Sequence, residues 1–411
     1  MYDSMKRTGK MCLIATVLLL AGGLPDPAAA ETARDVVRLA VNEDGIVTLD
    51  GKPWRGVGVN FFSAFRRTLD NPEDTSYTAS FQELAAFHIP FVRFMCGGFF
   101  PAEWKQYLED KEGYFARLDG VVEAAEKAGI GLIPSVFWFY AGVPDTVGEP
   151  VNQIGNPHSK TADFMRTYLT DLVTRYASRP SIWAWEVGNE YNLAADLPNA
   201  ADHLPMRAPS RGTPSERTMA DAISSADILA AMQLFADTVS PLDPHRLLTS
   251  GHSILRPSQY HQRIENSWKR DTTAQYCREL LRSHPEPFKL ISVHLYPEAQ
   301  TSGYFNLPFC SYEHHLATLI ATAAPAGKAV FVGEFGAASL EERSGAEGAQ
   351  ENFYQLLKAI ETSGVPLAAL WVYDFPYQEK SCNVTSSNAR SYQLEALKEL
   401  NLRLQAPGQT P

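Results

Sequence analysis

Eight short apolar runs recur along the chain, at 55–60, 90–96, 131–138, 182–189, 246–251, 289–296, 329–335 and 367–373, separated by stretches of helical period. Those stretches include Phe115 to Ala128, Thr161 to Ala177, Ser225 to Val239 and Glu351 to Thr362. Runs rich in Val, Ile, Leu and Phe, with no polar alternation, read as strands covered on both faces, the pattern of a parallel sheet flanked by helices. Eight such units without a long polar linker predict an α/β fold, a (βα)8 TIM barrel. A doubly wound open sheet is the competing arrangement.

The segment before the first unit alternates apolar and polar residues around Asn42-Glu43-Asp44-Gly45 and again around Asp50-Gly51. Two hairpin turns are predicted there, making residues 31–54 a short N-terminal β cap on the bottom of one barrel domain spanning 31–411. The connections 191–224 and 252–271, after strands four and five, are too long for simple turns. Both are expected to rise from the C-terminal face, where barrel active sites sit.

Residues 1–30 read separately, as a signal peptide. Lys6, Arg7 and Lys10 precede the apolar run Met11 to Leu20, and Ala28-Ala29-Ala30 supplies small residues for cleavage, with Met5 an equally good start. The run is too short to span a bilayer, so a secreted or periplasmic protein with no membrane contact after cleavage is expected. The net charge of −11 at pH 7 argues against nucleic acid and anionic membranes as partners and fits a neutral polymer. A monomer is expected. After export Cys96, Cys277, Cys310 and Cys382 remain, none at metal-site spacing. Their connectivity is not written in the sequence; Cys310 with Cys382 is the favoured pair, both lying in loops on one face of the barrel.

Two carboxyls stand at strand ends. Ile182-Trp183-Ala184-Trp185-Glu186-Val187-Gly188-Asn189-Glu190 closes an apolar strand with an Asn-Glu pair, where desolvation is expected to keep the Glu190 carboxyl protonated, as a general acid requires. Val330-Phe331-Val332-Gly333-Glu334-Phe335-Gly336 ends in a second glutamate, flanked by glycines that permit close approach. From strands four and seven of one barrel, Glu190 and Glu334 would face each other across the mouth, the pairing that retaining glycosidases need at roughly 5–5.5 Å.

With Val92-Arg93-Phe94, Asn189-Glu190, His294-Leu295-Tyr296, Gly333-Glu334-Phe335-Gly336 and Trp371 in this order, residues 37–403 resemble glycoside hydrolase family 5, of the clan A barrels that include cellulases and mannanases. The resemblance implies a retaining hydrolase of a β-linked polysaccharide or oligosaccharide, endo-acting on β-1,4-mannan or β-1,4-glucan, with Glu190 as acid/base and Glu334 as nucleophile. It implies that Asn189 bonds the sugar 2-hydroxyl, that Arg93 holds Glu334 ionised, and that Tyr296 and His294 flank the two glutamates. It implies that Trp371 is a floor for a pyranose ring. Many members carry a histidine at the end of strand three; this chain carries Trp138 there, so the adjoining subsite differs from that of the usual cellulases.

Arg93 also stands on its own physics, because a guanidinium inside an apolar strand must find an anion, Glu334 or another carboxylate. Glu186 shares strand parity with Glu190 one layer deeper and reads as a buried hydrogen-bonded partner. His252 follows strand five as a candidate cleft residue. Phe61, Phe62, Phe99, Trp138, Tyr140, Tyr191, Trp268 and Tyr377 are available on loops to stack further sugars. No metal or cofactor is expected: no His-x-x-x-His occurs, and Gly56-Val57-Gly58 lacks the third glycine of a dinucleotide loop. Transglycosylation by the same two glutamates and a non-catalytic carbohydrate-binding barrel are the alternatives.

Overall fold

The computed structural model describes residues 39–297, 303–337 and 340–406. The signal peptide read at 1–30 and the start of the cap at 31–38 lie outside the described residues. The eight runs form strands β1 (Gly56–Asn60), β2 (Phe91–Met95), β3 (Gly131–Phe137), β4 (Ala184–Gly188), β5 (Leu247–Thr249), β6 (Leu290–Leu295), β7 (Ala329–Phe335) and β8 (Leu367–Leu370). They pair in parallel in chain order, and β8 returns to β1 through Leu367 opposite Gly56, so the sheet closes into a barrel. Closure excludes the open doubly wound sheet.

Helices occupy the expected stretches, at Lys111–Ala128, Lys160–Tyr176, Ser225–Val239 and Leu340–Thr362. Their ends are set by local chemistry. Ser159 accepts from the Ala162 N–H, Ser224 and Asp227 form a capping box, and Gly129 ends its helix at φ 70°. Each device satisfies backbone groups that a helix end leaves without partners.

Strands Leu39–Val41, Val47–Leu49 and Lys52–Pro53 make a separate antiparallel sheet, the expected cap. Leu39 and Val47 pack into a cluster with Phe91, Ile133, Trp183, Leu290, Phe331 and Leu367, which fills the lower end of the barrel. Trp54 meets Trp183 edge-on at 5.3 Å, and a Cβ at Gly131 would lie 2.1 Å from the Trp183 ring. Two residues further along each strand, on the same face, the lining turns polar. Arg93 follows Phe91, Glu186 follows Ala184 and Ser292 follows Leu290, all three fully buried.

Strand β7 breaks this alternation. Val332 pairs with Val293, but the next pair is Glu334 with His294, so Gly333 is an extra residue in the ladder. A bulge of this kind reverses the parity of the residues beyond it. Glu334 therefore shares the level and the face of His294.

The 191–224 connection holds four short 3-10 turns and is tied down by ion pairs from Arg217 to Asp145 and from Arg211 to Glu103. The 252–271 connection is not all loop, since it contains a helix, Gln259–Glu265. Asp271 accepts from the Tyr260 N–H and from His261 Nδ1, which anchors the start of that helix. Among the described residues no helix is long and apolar enough to cross a membrane.

The favoured disulfide is not formed: Cys96, Cys277, Cys310 and Cys382 are all free thiols. Cys382 Sγ bonds Gln378 Oε1 at 2.9 Å and Cys310 Sγ contacts the Ser311 carbonyl, so each sulfur is satisfied within its own loop.

Candidate active site

The C-terminal ends of the strands open into a cleft of ≈ 520 Å³ lined by Phe62, Arg66, Phe99, Trp138, Asn189, Glu190, Tyr296, Glu334, Trp371, Phe375 and Gln378. Glu190 follows β4 at φ 55°, held by its N–H donating to the Gly251 carbonyl at 2.8 Å. Gly251 permits that approach, because a Cβ there would lie 1.7 Å from the Gly188 carbonyl oxygen. Glu334 reaches the cleft through the bulge at Gly333, where a Cβ would lie 3.0 Å from His294 Nε2. One ligand atom each from Glu190, His294 and Glu334 lies within 4.8 Å of the others.

Arg93 organises the floor of this cleft. Its Nε donates to both oxygens of Glu186 at 2.8 and 3.0 Å, and Nη1 donates to Asn60 Oδ1 and Glu334 Oε1, both at 2.9 Å. Nη2 donates to Asn189 Oδ1 at 2.8 Å. Arg93 thus meets the expected Glu334 and a second carboxylate, Glu186, that the sequence did not name as its partner. The Trp138 ring covers the guanidinium at 4.5 Å, so the cation is sealed on that side from water.

His294 and Tyr296, two apart on β6, serve different carboxyls. His294 Nδ1 lies 2.8 Å from Glu190 Oε1, and the Tyr296 hydroxyl donates to Glu334 Oε2 at 2.7 Å. Trp371 follows β8, its indole N–H donating to Gln378 Oε1 at 2.8 Å and its ring 5.9 Å from that of Trp138. The Trp371–Val372 peptide is cis. All eight residues singled out for chemistry or binding therefore gather at one mouth.

The two carboxyls differ in environment. Burial pushes Glu334 above the usual carboxylate range and the Glu190 charge adds to this, against the lowering effects of His294, Arg93 and Tyr296. Burial acts upward on Glu190 too, but His294, with Ser253 and Arg93, outweighs it and holds this carboxyl low. The expectation that desolvation keeps Glu190 protonated is thereby corrected, because the imidazole beside it acts against burial. Glu190 is also the more accessible of the two, its side chain 28% exposed against 5% for Glu334.

Other expectations are corrected by burial or by place. Phe61 and Tyr191 are core residues, 0% and 2% exposed, and Tyr191 donates to the Phe137 carbonyl. Trp268 and Tyr140 are not among the residues lining the cleft. His252 is buried against His284, and burial drives its pKa well below the ordinary imidazole value. Asn60, Arg66, Phe375 and Gln378 join the site without a sequence signal, since none of them sits in a strand-end acidic motif.

Residues 41–373, which carry this closed barrel and its mouth, match the family model Cellulase (glycosyl hydrolase family 5). The chain belongs to this family. It is 28% identical over 142 residues to a probable mannan endo-1,4-beta-mannosidase C of Aspergillus terreus, covering 32% of this chain and 30% of that protein. It is 26% identical over 207 residues to a putative mannan endo-1,4-beta-mannosidase 9 of Oryza sativa subsp. japonica, covering 46% and 49%. These alignments span about a third to a half of the length of those relatives. In fold, the chain is similar to the endo-1,4-beta-mannanase of Rhizomucor miehei, with a TM-score of 0.61 at 15% identity over 88% of this chain and 97% of the other.

Proposed function

We propose that this protein is a retaining glycoside hydrolase, with Glu334 as nucleophile and Glu190 as acid/base, that cleaves within a β-1,4-linked polysaccharide, mannan in preference to glucan. The observation that carries the reading is the Glu190, His294 and Glu334 cluster, its ligand atoms within 4.8 Å of one another at the barrel mouth. Double displacement needs two carboxyls about 5–5.5 Å apart, and inversion a wider gap that admits a water. The mannan preference is supported by the names of both curated relatives.

In this reading Glu334 attacks the anomeric carbon while Arg93 and Tyr296 hold its carboxylate oxygens. Glu190 supplies the proton of its carboxyl, which lies beside His294 Nδ1 at 2.8 Å. The leaving oxygen takes that proton from Glu190, and the same carboxylate then draws a proton from water to release the sugar from Glu334. Asn189, fixed by Arg93, faces the sugar 2-hydroxyl, and Trp371 with Trp138 forms an apolar wall for the ring. A metal ion among Glu190, His294 and Glu334 would stand against the guanidinium that bonds Glu334 at 2.9 Å, which favours the metal-free reading.

The test is purified protein on galactomannan, glucomannan, xylan, carboxymethylcellulose and laminarin, with product sizes read out. Glu190→Gln and Glu334→Gln should each cut turnover at least about a thousandfold while leaving the fold intact. Wild-type turnover in either variant would overturn the assignment. Release of single sugars only would overturn the endo mode.

A further inference from the structure

Arg66 lines the cleft that holds Glu190 and Glu334, yet it takes no part in the network around them. It belongs to the helix Ser63–Asp70 that follows β1. The next residue, Arg67, is fully committed: it donates to Ser63 Oγ at 2.9 Å, Ser76 Oγ at 2.7 Å and the Asp374 carboxylate at 2.9 Å. Arg66 is held differently. Its guanidinium carbon lies 5.6, 6.0 and 5.6 Å from the ring centroids of Phe62, Phe99 and Tyr377. Its one ion pair among the described residues runs through Nε to Asp70 at 3.5 Å, and Nε has no hydrogen-bond partner. Asp70 is itself shared with Arg211 at 3.6 Å.

A cation ringed by aromatic faces and weakly paired is poised for an anion arriving through the cleft. The guanidinium presents its donors as a fork that fits a carboxylate with two parallel bonds, and the surrounding rings limit the freedom lost on binding. The chain as a whole carries −11 charges, which disfavours a densely anionic polymer. A mainly neutral backbone with isolated acidic units meets both conditions.

We propose that Arg66 is a specificity-determining residue that binds the carboxylate of a uronic-acid unit carried by the glycan in the cleft. This rests on the glycoside hydrolase reading and deepens it. The test uses β-1,4-linked manno-oligosaccharides, neutral or carrying one glucuronic acid substituent at each position in turn, with wild type, Arg66→Gln and Arg66→Lys. For the best-placed substituent, the ratio of acidic to neutral kcat/KM should exceed one in wild type, shrink with added salt, and fall roughly ten- to a hundredfold in Arg66→Gln. Arg66→Lys should keep part of the preference. An equal ratio in wild type and Arg66→Gln, or a wild type that favours the neutral chain at every position, overturns the proposal.

Calorimetry with the Glu334→Gln protein, with and without Arg66→Gln, separates the two readings. Arg66-dependent binding of the acidic chain, in a protein whose wild type hydrolyses neither chain, would sink the hydrolase reading and leave this one standing. Hydrolysis of both chains with no Arg66-dependent difference in binding would do the reverse.

Discussion

Glu334 stands opposite His294 in the β6–β7 ladder, two residues beyond the Val332 and Val293 pair on one strand and one residue beyond it on the other. The surplus residue is Gly333, and a Cβ there would lie 3.0 Å from His294 Nε2 and 3.1 Å from Ser292 Oγ. Gly333→Ala should therefore push the imidazole and the Glu334 carboxyl apart. A loss of about a hundredfold in kcat/KM is expected, in a protein that still unfolds cooperatively. Kinetics paired with thermal unfolding would check this, and unchanged kcat/KM would contradict it.

The pH profile is set by the opposite displacements of the two carboxyls. Turnover needs Glu334 ionised, and burial raises its pKa, so the acid limb should lie above the ordinary carboxylate range. His294 lowers both carboxyls. In His294→Phe both pKa values rise, and the whole bell of kcat/KM against pH should move to higher pH with a lower maximum. A shift to lower pH would contradict the lowering effect of His294 on the two carboxyls.

Arg93 and Glu186 form an ion pair in which neither side chain is exposed. Arg93→Met would leave Glu186 and Glu334 buried without their cation, and a destabilisation of about 3–5 kcal/mol is expected. Lysine cannot reproduce the contacts with Glu186, Asn60, Glu334 and Asn189, so Arg93→Lys should also lower the Tm. Denaturant unfolding at neutral pH gives the numbers directly.

Trp371 presents its ring to the cleft while Gln378 fixes its indole N–H. Trp371→Ala should cost roughly ten- to a hundredfold in kcat/KM, the contribution of one large apolar contact surface. Gln378→Ala should cost less, because the ring remains and only its orientation loosens. An equal loss in both would argue that orientation is the whole effect.

The thiols give a negative control. With Cys96, Cys277, Cys310 and Cys382 all free, a reducing agent should leave the Tm within about 1 °C of its value without one. A drop of several degrees would place a disulfide back in the fold.

Most of the barrel is legible in the sequence because strands buried on both faces cannot be written without long apolar runs, and eight of them leave little choice of closure. The acidic pair is legible for a related reason: a carboxyl at the end of such a run is costly to bury unless a partner holds it or a reaction uses it. The features that escape depend on three-dimensional neighbours. Asn60 looks like an ordinary strand end until Arg93 is seen to donate to it. The inward turn of Glu334 is set by a ladder irregularity that alternation alone would read as outward. The ionisation of Glu190 depends on a histidine 104 positions away. The disulfide expectation fails because a shared barrel face does not by itself bring two sulfurs together: Cys382 bonds Gln378 and Cys310 contacts the Ser311 carbonyl instead.

The aromatic and aliphatic plug under the polar layer divides the labour of the molecule by height. Trp54, Trp183, Phe91 and Phe331 pack with the cap residues Leu39 and Val47 and with one another, in a cluster separate from the one that holds Phe62, Trp138 and Trp371. Selection can therefore redraw the rim, trading one sugar preference for another, while the foundation that keeps the chain folded goes on unaltered.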